Sequence, residues 1–320
     1  MKKYITLLCI GFSFLSYAQQ PDVNYKDLGF TRKIKKVESF SYAMEDKSVT
    51  DKSSDSYEFD ENGNIIHHEY HVFGKYASAT SENSTYDNGL LVKREILVKN
   101  RPGFNAILTY QYDKKNNLIK KTYQSSQYKN DFLFSYDKSN KLAEIKGIYA
   151  NNYSVEKFYY EKEKLLKSVT QFFSKDTVQS ETIKLYIDEK PALEYYSNDT
   201  FLKAYLEDDN EFIMLQMNYP EPIQNMNGIE SEIKYEELSN RQLKENFFND
   251  RNEIYRKIDV REVLKQNQNN DWIAKAGVDN RYNKYTYYVF RKITYADGSI
   301  SGSTEFNIFL VNELKSKLND

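Results

Sequence analysis

Between residues 57 and 193, apolar and polar positions alternate in short runs, and each run breaks at the same kind of place. Leu108, Tyr110 and Tyr112 alternate with Thr109 and Gln111. A period of two sets the three larger side chains on one face of a strand. Asp113 then opens a polar stretch, Lys114-Lys115-Asn116-Asn117, before a second run from Leu118 to Tyr123. An Asp carboxylate at such a place accepts hydrogen bonds from backbone N–H groups two or three residues on. Asn116 or Asn117 tolerates the left-handed conformation that closes the turn. The pattern predicts strand, tight turn, strand: a β-hairpin. The same alternation precedes the turn at Tyr57/Phe59, Phe134/Tyr136 and Phe158/Tyr160.

The hairpin recurs. Its turn acids are Asp60, Asp87, Asp113, Asp137, Glu161 and Asp188, spaced 27, 26, 24, 24 and 27 residues apart. A fixed period of this size marks a repeat array in which each unit buries its apolar face against the next. The expected fold is all-β: antiparallel hairpins forming one twisted, curled sheet, with minor helices in the C-terminal third. Residues 19–200 hold the regular copies and 201–320 degenerate ones. The latter include Phe248-Asn249-Asp250-Arg251-Asn252-Glu253-Ile254 and the Asp297-Gly298 tip. A short helix is expected within 231–248, and a terminal helix over Val311–Leu318. The segment near Ile34–Phe40 and the terminal helix are the natural caps for the two edge strands.

The N-terminus changes the setting. Met1-Lys2-Lys3, an apolar run from Tyr4 and Ser16-Tyr17-Ala18 read as a secretory signal peptide over residues 1–18. Its apolar run is shorter than the roughly 20 residues a membrane span needs. Cleavage would remove Cys9, the single cysteine, so packing alone would hold the exported chain. It would also leave 43 basic against 47 acidic residues, interspersed throughout. That balance argues against a nucleic-acid partner, which needs a basic patch. The 29 Tyr and 19 Phe suit a half-buried sheet surface, with each tyrosine ring packed and its hydroxyl in water.

The Tyr-Asp-x-x-Asn/Gly-x-Leu phrases between residues 57 and 193 resemble the YD repeats of Rhs-type proteins. More closely, they resemble the exported β-repeat proteins of Bacteroidetes. The opening Leu28-Gly29-Phe30-Thr31-Arg32-Lys33-Ile34-Lys35-Lys36-Val37 adds to the likeness. So does the ending Asp271-Trp272-Ile273 with Arg291-Lys292-Ile293-Thr294-Tyr295, where Asp271 replaces the Asn of the family pattern. The resemblance implies the fold and export and names no activity. Long Rhs repeats curl around a cargo toxin; this chain is too short for that shell.

Candidate chemistry is sparse. On a strand His67, Glu69 and His71 share a face, and two imidazoles with a carboxylate form a metal-ligand set. The repeat places His67 opposite Lys120, Glu144 and Lys167, as at a solvated sheet position, and His68 opposite Lys121, Ile145 and Ser168. The recurring acids are explained by turn formation; calcium would need several oxygens converging on one point. No Gly-x-Ser-x-Gly elbow and no Gly-rich phosphate loop is present. Trp272 is the best single candidate for ligand stacking, although it reads first as a packing residue closing the array. The expected function is that of an exported, non-catalytic binding or scaffold protein of the periplasm, outer-membrane surface or extracellular space. It needs no cofactor and meets a protein or glycan partner through a sheet face or its hairpin tips. A carbohydrate-binding module using exposed aromatics and a hydrolase with paired carboxylates are the alternatives.

Overall fold

The computed structural model describes residues 24–26, 28–45, 48–74, 77–187, 190–196, 201–207, 211–218, 253–279 and 284–312. The expected signal peptide over 1–18, Asp188, the copy around Asp250 and the expected helix within 231–248 lie outside them. The described chain is one antiparallel sheet. Its first strands are β1 (Ile34–Glu45), β2 (Ser48–Phe59), β3 (Ile65–Val72), β4 (Ser78–Asp87), β5 (Leu90–Lys99) and β6 (Ala106–Tyr112). There follow β7 (Leu118–Ser125), β8 (Lys129–Tyr136), β9 (Leu142–Ile148), β10 (Asn152–Glu161), β11 (Lys164–Ser174), β12 (Thr177–Ile187) and β13 (Lys190–Tyr196). The last are β14 (Phe201–Glu207), β15 (Glu211–Asn218), β16 (Glu253–Gln266), β17 (Trp272–Asp279), β18 (Lys284–Tyr295) and the short β19 (Ile300–Gly302).

Each strand from β1 to β17 pairs with its successor, and β18 pairs back onto β1. Along that seam Val37 faces Ile293, Ser39 faces Arg291 and Ser41 faces Val289. The ladder therefore closes on itself through β18, and β19 adds beside the end of β18 at Lys292–Thr294. Ile34–Phe40 is thus not a cap over an edge but a strand paired on both sides. Closure answers the edge problem directly, since a ring of strands has no first or last member.

The repeat explains the local geometry. Asp60, Asp113 and Asp137 each accept two backbone N–H groups. Asp113 Oδ1 lies 2.7 Å from the Lys115 nitrogen and 2.9 Å from that of Asn117. The equivalent bonds run from Asn62 and Asn64 to Asp60, and from Ser139 and Lys141 to Asp137. Gly63, Asn116 and Asn140 supply the positive φ (84°, 65°, 65°) that these turns require. Asp87 and Glu161 sit differently. They are the last residues of their strands, facing Leu90 and Lys164, and the turn belongs to Asn88-Gly89 and to Lys162-Glu163 at positive φ. Such two-residue turns match the twist of the flanking strands.

One residue before every turn aromatic the register shifts, at Glu58/Phe59, Thr85/Tyr86, Gln111/Tyr112, Ser135/Tyr136, Tyr159/Tyr160 and Leu185/Tyr186. The bulge lets the tyrosine reach the neighbouring hairpin. Tyr86 donates its hydroxyl to the Ile65 carbonyl at 2.9 Å, Tyr112 to Leu91 at 2.9 Å, Tyr136 to Leu118 at 3.0 Å and Tyr160 to Leu142 at 3.0 Å. These hydroxyls are not in water, as the composition suggested. Each bolts its repeat to the one before.

Alternation then separates two faces. On β6 Ala106, Leu108 and Tyr110 are buried, whereas Ile107, Thr109 and Gln111 are exposed. In a closed ladder the buried set faces inward. Leu91, Leu108, Tyr110, Leu118, Phe132, Phe134 and Ile145 form one inner cluster across β5–β9. Around β18, β1, β2 and β3 a second forms from Ile34, Val37, Phe59, Ile65 and Ile293 with Phe30 of the entering segment. On the outer face Tyr288, Phe290, Ala274 and Ala276 are covered by Phe306, Leu310 and Val311. A short helix there begins at 308, three residues before the sequence suggested. Asn307 caps it, accepting from the backbone nitrogens of Phe309 at 3.0 Å and Leu310 at 3.3 Å.

Candidate functional site: a charged belt on the inner face

The inner face is not uniformly apolar. Ser39, Asp55, His68, Glu82 and Arg94 stand on the successive strands β1 to β5, and the pairing register puts their side chains on the same face as Leu108 and Val37. Arg291 on β18 faces Ser39 across the seam and continues the row. A belt of alternating charge thus crosses the closure of the ladder.

His68 is its centre. Its Nε2 lies 2.6 Å from Asp55 Oδ1, and its Nδ1 lies 4.0 Å from Glu82 Oε2. The ring stacks flat on Tyr57, with centroids 4.3 Å apart and planes 4° apart. Burial alone would discharge the imidazole. Hydrogen bonds to Asp55 and Glu82, together with their charges, overcome that and push its pKa up to about 9. At neutral pH His68 is therefore a cation, wedged between two carboxylates. Burial would raise Glu82 in turn, but His68 and Arg94 hold it below its ordinary value. Arg94 approaches Glu82 at 3.5 Å through Nη1, while its Nε is buried without a hydrogen-bond partner among the described residues.

Beyond β6 stands Lys121 on β7, between Tyr110 and Phe132 in register. Its ammonium lies 5.8 Å from the centre of the Phe132 ring. Burial, and then the charge of Arg94, pull its pKa down to about 8. Among the described residues no carboxylate pairs with it. Further round, Glu156 on β10 is sealed in, accepting from the Ser168 hydroxyl at 2.8 Å, and Ser168 also meets the Tyr186 hydroxyl at 3.1 Å. Burial raises Glu156, against the opposing pull of Lys184, Ser168 and Thr170.

The residues singled out in the sequence lie elsewhere. His67, Glu69 and His71 are on the outer face of β3. His67 Nε2 is 3.3 Å and His71 Nε2 3.9 Å from the two Glu69 oxygens, and His67 Nδ1 is 2.8 Å from Asn83 Oδ1. They meet around one carboxylate on an open surface, and among the described residues no group of three or more such side chains has metal-site geometry. Trp272 is half-buried. The Arg291 guanidinium lies 3.2 Å and the Lys275 ammonium 4.4 Å from its ring centre, and Arg291 also lies 5.2 Å from the Phe30 ring. Beside it Asp271 accepts from the Tyr295 hydroxyl at 2.6 Å. His68, Asp55, Glu82, Arg94 and Lys121 were not picked out as candidates. The repeat did carry their signal, because it set His68 opposite Lys121 and the buried Ile145 and Ser168.

Neither a family model nor a curated protein matches the chain. Among solved structures it is similar to a porin-like protein from Bacteroides uniformis. The identity is 9%, the match covers 81% of this chain and 96% of that one, and the TM-score is 0.34. It is also similar to TcdB2-TccC3 without its hypervariable C-terminal region, at 10% identity and a TM-score of 0.31. That match covers 80% of this chain and spans 13% of the other. At these values neither likeness bears on what the chain does.

Proposed function

We propose that this chain is an exported, non-catalytic binding protein of the cell envelope that takes its ligand on the inner face of the closed sheet. The observation that carries the reading is the contrast between the two faces. Outside, charges neutralise one another in water: Lys36 with Glu38 and Glu58, Lys93 with Glu95, Lys120 with Asp131. Inside, charges are held against apolar walls where desolvation is costly, and among the described residues no carboxylate pairs with Lys121. A purely structural lining would be served better by apolar residues.

The outer face also bears on location. A barrel that crosses a membrane turns an apolar band outward. Lys36, Glu58, Lys93, Glu95 and Lys120 stand on that face among the exposed Leu97, Ile107, Leu133 and Ile148, so charge interrupts any apolar band there. Among the described residues no helix is long and apolar enough to cross a membrane. The carboxylates of the belt are poor candidates for hydrolysis. Asp55 and Glu82 both hold His68, and a Glu82 kept ionised is unsuited to donate a proton.

Hydroxyl-radical footprinting tests the reading. The purified mature chain would be labelled with and without the small-molecule fraction of an envelope extract. Protection is expected at inner-face Tyr70 and Tyr123, with outer-face Tyr159 unchanged. Protection confined to Tyr159, or none at any of the three, would overturn it.

A further inference from the structure

Antiparallel succession sends alternate connections to opposite ends of the sheet. At one end lie the tips that follow the turn acids, such as Lys114-Lys115-Asn116 and Lys138-Ser139-Asn140, exposed and without an aromatic residue. At the other, the β5–β6 connection carries Phe104, 59% exposed, and the neighbouring β7–β8 connection carries Tyr128, 44% exposed. Leu97 and Ile107 on the adjoining strand ends are exposed as well. Lys99, Arg101 and Lys129, all exposed, stand beside them in the chain, and neither 99–105 nor 125–129 contains an acid. The acids next along these strands are already held. Glu95 lies 2.8 Å from Lys93, and Asp131, which also feels the charge of Lys129, lies 3.2 Å from Lys120. Apolar side chains gathered on a surface and rimmed by one sign of charge mark a place of contact.

Both connections satisfy backbone groups of their own. The Phe104 nitrogen donates to the Arg101 carbonyl at 2.9 Å and that of Asn105 to Pro102 at 3.1 Å, while Asn105 Oδ1 accepts from the Val98 nitrogen at 2.8 Å. Ser125 Oγ accepts from the nitrogens of Gln127 at 3.2 Å and Tyr128 at 3.3 Å. Such connections can enter a poorly hydrated layer with few backbone donors left stranded. We infer that this end of the sheet docks end-on against an anionic lipid surface. Phe104 and Tyr128 reach the boundary between headgroups and acyl chains, and Lys99, Arg101 and Lys129 meet the lipid phosphates. Aromatic rings settle at that boundary, and each basic residue near an anionic leaflet adds an attraction that salt screens. The inference stands apart from the inner-face reading above, since it uses neither the belt nor the interior.

Vesicle flotation with the full mature chain tests this. Vesicles of phosphatidylcholine containing about one part in three of phosphatidylglycerol should carry the protein upward, and pure phosphatidylcholine should bind it at least about tenfold more weakly. Raising salt to about 0.5 M should release most of it. Arg101→Gln should weaken binding about fivefold and Phe104→Ser about tenfold. Both should leave Tm unchanged, because neither side chain is buried. Lys114→Gln combined with Lys115→Gln, at the opposite end, should bind as the parent does. No binding to the anionic vesicles, equal binding to both kinds, or unaltered binding in Phe104→Ser and Arg101→Gln would overturn the inference. So would an equal loss in the opposite-end variant, which would mean that overall charge alone drives binding. A dimer that Phe104→Ser dissolves in sedimentation equilibrium, without vesicle binding, would give the surface to a second copy of the chain and overturn it too.

Discussion

His68 carries a charge that its neighbours maintain. In the unfolded chain an imidazole titrates near 6.5, whereas between Asp55 and Glu82 it holds its proton to about 9. Between those values the folded chain binds a proton that the unfolded chain has lost. The stabilisation is therefore full below about pH 6.5 and disappears as pH rises through 9, amounting to about 3 kcal/mol at most. Lys121 works in the opposite sense. Its pKa lies below the ordinary lysine value, so the folded chain binds fewer protons than the unfolded between about 8 and 10.4, and stability rises there. The clean comparison is made in Lys121→Met. Urea unfolding should show stability falling between pH 6.5 and 9, and adding His68→Gln should flatten that slope. Parallel curves would mean that the belt does not hold His68 charged. This residue was half legible in the sequence. The repeat aligned it with Lys121, Ile145 and Ser168, which share its face. Period-two alternation separates two faces without saying which is enclosed, and with polar residues on both, the open His67–Glu69–His71 trio has the same sequence signature as an enclosed one.

At the scale of the hairpin, the tyrosine of each Tyr-Asp pair couples one repeat to the previous one. A β-hairpin is marginal alone, so the array depends on such couplings. A phenylalanine would pack as well in the same place but would leave a carbonyl of the preceding strand without its donor. Tyr112→Phe and Tyr136→Phe should each lower the unfolding free energy by about 1 kcal/mol. Their bonds end on different strands, β5 and β7, so the double variant should lose roughly the sum. Urea titrations of the three variants check this, and a loss below about 0.3 kcal/mol in both single variants would refute the coupling. The hairpins and most of their turns were readable because Asp-x-x-Asn and Asn-Gly encode backbone bonds within a few residues. The hydroxyl bond was not, because it spans 18 to 21 residues and depends on a bulge that shifts the aromatic by one place.

For the molecule as a whole the decisive feature is the seam between β1 and β18. A repeat predicts neighbours, and so a sheet that continues. Whether the last strand returns to the first depends on accumulated twist and strand tilt, which no single repeat contains. Closure has a definite consequence. Ser41 and Val289 are direct partners across the seam, far apart in sequence and on the inner face. Directly opposed residues in an antiparallel pair have Cα atoms about 4.5–5.5 Å apart, within the span a disulfide accepts. The pair Ser41→Cys and Val289→Cys, in a chain lacking Cys9, should therefore oxidise readily and migrate faster on a non-reducing denaturing gel. Such a link ties off nearly the whole chain, so the oxidised form should also unfold later than the reduced one, by a few kcal/mol in the chain-entropy account. Pairing Ser41→Cys with a cysteine at Thr109, on β6 and facing outward, is the control and should give no monomeric crosslink. If the seam pair fails to oxidise, or crosslinks only between molecules, the sheet is open. In that case the belt running from Arg291 through Asp55 to Arg94 is broken between its first two members, and an enclosed inner face no longer follows.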